Sequence, residues 1–130
     1  DYQEADAVIR GFLEAMVYAI PTGKQHAFAA QNLPSFGLFV RRRGGVPISL
    51  ANAFARPIHP RKADDDVVGL SINALTTHWD DVAKVYGTQG VQTTACFCVG
   101  GEGRLNGLTH ADKGNVREAM EAVMETVGEQ

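Results

Sequence analysis

The sequence predicts an α+β fold in which a small sheet has helices packed on a face. Three observations carry this. Apolar residues recur at helical spacing in three separate stretches, and two shorter stretches have the apolar content or alternation of strands. These elements follow one another as helix, strand, helix, strand, helix, with room for a hairpin after the first strand. The chain of 130 residues, 45% hydrophobic and 21% charged, suits a single domain, 1–130, with its own core. Three strands at most make a poor independent sheet, so part of the fold is expected to lie outside this sequence. The first residue is Asp1 rather than Met, which fits a processed product or a piece of something longer.

Val8, Ile9, Phe12, Leu13, Met16, Val17 and Ile20 recur at helical spacing, while Glu4, Arg10 and Glu14 fall elsewhere, which predicts an amphipathic helix over 2–20. Pro21 disfavours helical angles at Ile20 and, with Thr22-Gly23, ends it. A loop runs to about Pro34. Ser35–Arg42 reads as a strand, with Phe36, Leu38 and Val40 on one face and Phe39 on the other, so burial on both sides is expected. Arg43-Gly44-Gly45 is turn chemistry; Val46–Ser49 is a candidate return strand, and Leu50–Phe54 a candidate helical turn stopped by Pro57.

Residues 57–66 carry two prolines, Arg61, Lys62 and the triplet Asp64, Asp65, Asp66, and read as a surface connection. The triplet also suits the positive end of the helix that follows. That helix runs over 67–86, with Ile72, Leu75, Trp79, Val82 and Tyr86 as its stripe. The stripe reads as a core face rather than a base-stacking platform. Gly87 and Gly90 end it. Val91–Val99 alternates cleanly and places Val91, Thr93, Ala95, Phe97 and Val99 on one face of a second strand. After a loose turn at Gly100, Gly101 and Gly103, a last helix is expected over about Thr109–Val127, burying Val116, Met120, Val123 and Val127.

A net charge of −3 hides a strong asymmetry. Residues 24–62 carry seven bases (Lys24, Arg41, Arg42, Arg43, Arg56, Arg61, Lys62) and no acid, whereas 63–130 carry four bases and eleven acids. The basic segment points to an anionic partner, nucleic acid first among them, or to neutralisation by acidic helices packed beside it. No apolar run is long enough for a membrane span and no signal peptide is visible, so a cytoplasmic setting without membrane contact is expected.

Pro21-Thr22-Gly23-Lys24-Gln25 looks like a phosphate loop, but Tyr18 stands where the motif needs its first glycine, Gln25 where it needs Ser or Thr, and a helix precedes it. Nucleotide hydrolysis is rejected; phosphate contact through backbone N–H groups, the ammonium and the amide is not. Cys96-Phe97-Cys98 puts two thiols on one strand face, and the four histidines are scattered, so no metal, no disulfide between the two and no cofactor are expected. Asp64–Asp66 and the pair Asp80, Asp81 read as solvated charges. No nucleophile–base arrangement has local support, so no catalytic residue is assigned.

The string from Pro21 to Pro34, Pro-Thr-Gly-Lys-Gln-His-Ala-Phe-Ala-Ala-Gln-Asn-Leu-Pro, resembles the backbone subunit of type I-E CRISPR Cascade, the CasC family. The block Pro47-Ile-Ser-Leu-Ala-Asn-Ala-Phe-Ala-Arg-Pro57 and the helix end Trp79-Asp-Asp-Val-Ala-Lys-Val-Tyr-Gly87 resemble it in the same order, so the likeness covers about residues 4–90. The resemblance implies the C-terminal part of a longer, hand-shaped subunit whose palm is a partial RNA-recognition, ferredoxin-like fold. Residues 1–62 would supply a palm helix, the final palm strand and the basic segment, and 63–130 a C-terminal helix-strand-helix. It also implies a non-catalytic role: gripping the guide RNA backbone, pairing that guide with a target DNA strand, and assembling beside copies of itself and other Cascade subunits in antiviral defence.

On this likeness the loop residues Thr22, Gly23, Lys24, Gln25 and His26 are expected to contact RNA phosphate and sugar, and the basic segment adds Arg41, Arg43 and Arg56 as candidate further contacts. The alternatives are an interaction module with a basic surface for an acidic protein, and a nucleotide or phosphate-ester enzyme using the Gly23-Lys24 loop. Exposed apolar edges are expected to make the chain self-associate.

Overall fold

The structure, a computed structural model, describes residues 1–19, 32–45 and 47–125. It holds helix α1 (Tyr2–Tyr18), strand β1 (Phe36–Arg42), helix α2 (Val67–Tyr86), strand β2 (Val91–Cys98) and helix α3 (Val116–Met124), with short 3-10 turns at Ala51–Phe54, Glu102–Arg104 and Thr109–Ala111. The two strands are antiparallel, and the whole is a small α+β structure consistent with a partial ferredoxin-like fold.

Local chemistry sets the helix ends. The Asp66 carboxylate accepts from the Val68 N–H at 3.2 Å, and Gly87, with φ of 75°, closes α2 after Tyr86. The last helix starts later than the expected Thr109, at the first residue of its apolar stripe, Val116. Thr109–Ala111 is a single 3-10 turn, Gly114 has φ of 79°, and the Asn115 side chain caps α3 by accepting from the Glu118 N–H at 2.8 Å. Val127 lies outside the described residues. Of the expected return strand over Val46–Ser49, Val46 lies outside the described residues, and residues 47–50 take no regular structure; Pro47 has no N–H for a ladder.

Pairing runs from Phe36 opposite Cys98 to Arg41 opposite Thr93, and then jumps so that Arg42 faces Val91. Gln92 is the extra residue of a bulge. A bulge reverses the side that following residues face, so Val91 joins Val40 and Arg42 instead of Thr93, Ala95 and Phe97. Clean alternation over 91–99 therefore holds only from Thr93 onward.

Helices lie on both faces of the sheet. On one, Ala95 and Phe97 pack with Val17 of α1 and with Ala119 and Val123 of α3, while Phe39 rests against Phe97 with ring centroids 6.2 Å apart. On the other, Phe36, Leu38 and Cys96 pack with Ile72 of α2 and with Leu105, Leu108 and Ala111. The 105–111 segment is held there by the Lys113 N–H, which donates to the Cys96 carbonyl at 3.0 Å on the edge of β2 away from β1.

The apolar stripe of α1 does not become core. Only Val17 is buried, and Val8, Phe12 and Met16 are 71%, 63% and 64% exposed. The helix is held through Val17, Leu13 and an ion pair of Arg10 with Glu121. The α2 stripe likewise loses its last member, since Tyr86 is exposed. Among the described residues no helix is long and apolar enough to cross a membrane.

Candidate nucleic-acid interface

The end of β1 carries Arg42 and Arg43 into a turn in which Gly44 and Gly45 both have positive φ. The Arg43 N–H donates to the Gly90 carbonyl at 2.7 Å, tying this turn to the connection between α2 and β2. Gly90 sits at φ of 86°, and a Cβ there would lie 2.8 Å from the Arg43 carbonyl oxygen, so the close approach needs glycine. The chain then returns over α2 through residues 47–50 and the turn at Ala51–Phe54.

Between this return and the second half of α2 lies a groove of about 720 Å³. Arg42, Arg43, Ser49, Asn52, His78 and Tyr86 are among its lining residues. A smaller recess of about 250 Å³ shares Arg42, Pro47, Ile48 and Val82 with the groove and continues it inward, walled by Trp79, Ala83 and Val91 among others. Among the described residues no Asp or Glu lines either space. An arginine-bearing lining with no Asp or Glu among its described residues favours a positive local field. Arginine suits phosphate geometry, hydroxyl and amide groups add neutral hydrogen bonds, and an exposed tyrosine offers a ring face. Such a surface can hold a phosphodiester strand without reading its bases.

The residues expected to touch RNA are distributed unevenly. Thr22, Gly23, Lys24, Gln25 and His26 lie outside the described residues. Arg43 is exposed on the groove. Arg41 is half-buried elsewhere: its Nη1 donates to the Val123 carbonyl at 3.3 Å and the Glu125 carbonyl at 2.6 Å, at the negative end of α3. Arg56 is exposed and does not line the groove. Sequence reasoning missed Arg42, Asn52, His78 and Tyr86 as groove residues. For Arg42 a signal existed, because strand alternation puts it on the α2 side with Val40 and puts Arg41 on the α3 side.

Two of the three acids in the triplet, Asp65 and Asp66, have structural partners. Asp65 accepts from the N–H groups of Arg61 and Lys62 at 2.7 and 3.0 Å, and Asp66 accepts from Arg104 Nε at 2.7 Å besides capping α2. Both cysteines are free. Burial, helped by the Asp112 carboxylate, pushes the Cys96 thiol up to about 11, and burial also raises Cys98. Both remain protonated at neutral pH and are poor nucleophiles. Among the described residues no cluster of His, Cys, Asp and Glu is placed to hold a metal ion.

A family model described as CT1975-like protein, a CRISPR-associated (Cas) family, matches residues 1–126. No curated protein matches the chain.

Proposed function

This chain belongs to the CT1975-like family of CRISPR-associated proteins, and from that premise we propose that it is part of a non-catalytic backbone subunit of a CRISPR-RNA-guided surveillance complex, of the type I-E Cascade kind. In this reading it grips the guide RNA, stands beside further copies and other subunits in the cytoplasm, and meets target DNA only through the guide. The observation that carries it is the carboxylate-free groove reached by Arg42 and Arg43. The basic segment that supplies those arginines also contains Lys24, whose loop resembles the Cascade blocks. Cations and neutral donors without base-edge readers are what a backbone subunit needs, because base pairing supplies the sequence.

The test is RNA binding as a function of salt. The chain is expected to bind a CRISPR guide and a scrambled strand of equal length with the same affinity. Lys24→Ala and Arg43→Ala should each weaken both equally and lower the slope of log affinity against log salt by about 0.7. No divalent-dependent RNA cleavage is expected. Failure to bind either strand at low salt, or slopes unchanged in both variants, would overturn the reading.

A further inference from the structure

We infer that the free edge of β1 is a pairing surface for a second copy of this chain, which joins it antiparallel about Leu38 and turns two two-stranded sheets into one of four strands. This goes beyond the RNA reading above and does not depend on it.

The two outer edges of the sheet differ. On β2 the Cys96 carbonyl accepts from the Lys113 N–H at 3.0 Å, and a bridge to Asp112 covers that edge. Cys96 thus turns its backbone groups away from β1, and Leu38, directly opposite, turns its own away from β2. The same alternation points the N–H and C=O groups of Phe36 and Val40 outward. Among the described residues none of these groups has a hydrogen-bond partner. All of β1 is half-buried rather than buried. From Phe36 to Val40 the edge has no charge, no proline and no bulge, the features that ordinarily keep an edge from pairing.

A second copy is the occupant because this run complements itself. Turned antiparallel about Leu38, it sets Phe36 opposite the partner's Val40 and Leu38 opposite the partner's Leu38, and the outward N–H groups of each strand meet the outward C=O groups of the other. On the opposite face Gly37 comes against the partner's Phe39. A Cβ at Gly37 would lie 2.3 Å from Phe97 Cε1, so the Phe97 ring takes that place and no side chain of Gly37 obstructs the partner's ring. Charge sets the direction. A parallel pair would place Arg41 and Arg42 beside their counterparts, whereas the antiparallel pair sends them to opposite ends, with Arg41 facing the partner's Ser35. Such a contact is isologous and closes at a dimer.

The test is sedimentation equilibrium of the nuclease-treated chain together with amide hydrogen exchange at dilute and at concentrated protein. A species of twice 14.0 kDa is expected. The Phe36, Leu38 and Val40 N–H groups should exchange at least about tenfold more slowly in the concentrated sample, while the Phe39 N–H, bonded within the sheet, is protected in both. Leu38→Cys checks the register. Its two thiols stand on Cα atoms about 5.5 Å apart across the pair and should form an intermolecular disulfide on oxidation, read by peptide mapping. Val40→Cys, about 14 Å from its counterpart by strand rise, should not. The exchange measurement does not depend on either variant folding.

A monomer at the highest concentration would overturn the pairing and leave the RNA reading untouched. A dimer whose Phe36, Leu38 and Val40 amides exchange as in the dilute chain would overturn it too, because the contact would then lie on another face. Protection of those amides in the monomer would show that the chain covers its own edge, and would equally overturn it. A disulfide in Val40→Cys but not in Leu38→Cys would overturn the register about Leu38.

Discussion

On the α2 side of the sheet, Ile72 is 1% exposed and Cys96 and Leu105 are fully buried; on the α1 side, Val17 is the one buried residue of its helix, and Val8, Phe12 and Met16 stand largely in water. Both helices carry an amphipathic pattern, so the difference is not in the pattern. The α2 side is closed because a second segment, 105–111, folds over the free edge of β2 and supplies Leu105, Leu108 and Ala111. The α1 side receives Ala119 and Val123 of a short α3, with Val116 and Ala122 packed beside them but partly buried. An apolar stripe confers the capacity for burial, and its neighbours decide whether that capacity is used. An uncovered stripe of this size is expected to be a contact surface.

The sharpest way to break this comparison is one truncation on each side. Leu105→Ala should cost about 3 kcal/mol, from lost transfer energy and the cavity left behind. Phe12→Gln should change stability by no more than about 0.5 kcal/mol, because the ring is already wet. Urea denaturation measures both. The same Phe12→Gln chain should self-associate less in sedimentation velocity. Similar stability losses in the two variants would mean that the α1 stripe is covered after all.

A pH titration probes how dry the closed side is. Cys96 titrates near 11 in the fold, raised by burial from about 9, so the folded state keeps a proton that the unfolded chain releases. The stability this represents is fully present below pH 9 and is lost as pH rises through 11. Its size is on the order of 2 kcal/mol. Cys98 shifts in the same direction. The urea midpoint should fall between pH 9 and 11, and it should fall less in Cys96→Ala. Parallel loss in both chains would show that other groups titrating in that range govern the decline.

Gly37→Ala tests the looseness of the other side. An added Cβ would lie 2.3 Å from Cε1 of Phe97, so the ring must move. In a tight core such overpacking costs about 1–3 kcal/mol. Beside the half-covered α1 the cost should fall at the lower end of that range, about 1 kcal/mol. A cost near the upper end would show a rigid α1 side despite its exposed stripe.

What could be read in advance divides along the same line. The bounds of α2 were legible because Asp66 and Gly87 are local signals. The opposite faces of Phe36, Leu38 and Phe39, and of Cys96 and Phe97, follow from alternation. The start of α3 was expected too early, at Thr109, although its apolar stripe begins at Val116 and Gly114-Asn115 marks the boundary. Val91 was placed on the wrong face because a bulge at Gln92 depends on the partner strand, which alternation in one strand does not encode. The groove was largely hidden for the same reason: Asn52, His78 and Tyr86 meet Arg43 only when the 43–54 return lies over α2. The basic segment announced an anionic partner but not which of its arginines would face it, and Arg41 went to the carbonyls of α3.

The smallest expected effect lies at the corner that closes the α2 side. Asp66 caps α2 through the Val68 N–H and holds Arg104 Nε at 2.7 Å, while Arg104 Nη1 donates to the Val99 carbonyl at 2.7 Å. One carboxylate thus links the start of α2, the turn at Glu102–Arg104 and the end of β2. Removing it in Asp66→Ala should cost about 1 kcal/mol, mainly as the lost cap. Asp66→Asn keeps an oxygen for the cap and gives up the charge, so its cost should be only a few tenths of a kcal/mol, as for a partly exposed ion pair. Thermal unfolding of the two variants separates cap from charge, and 1 M salt should narrow the gap between wild type and Asp66→Asn, because the pair is screened. If Asp66→Asn costs as much as Asp66→Ala, the charge rather than the cap secures this corner, and the closed side depends on an ion pair that salt weakens.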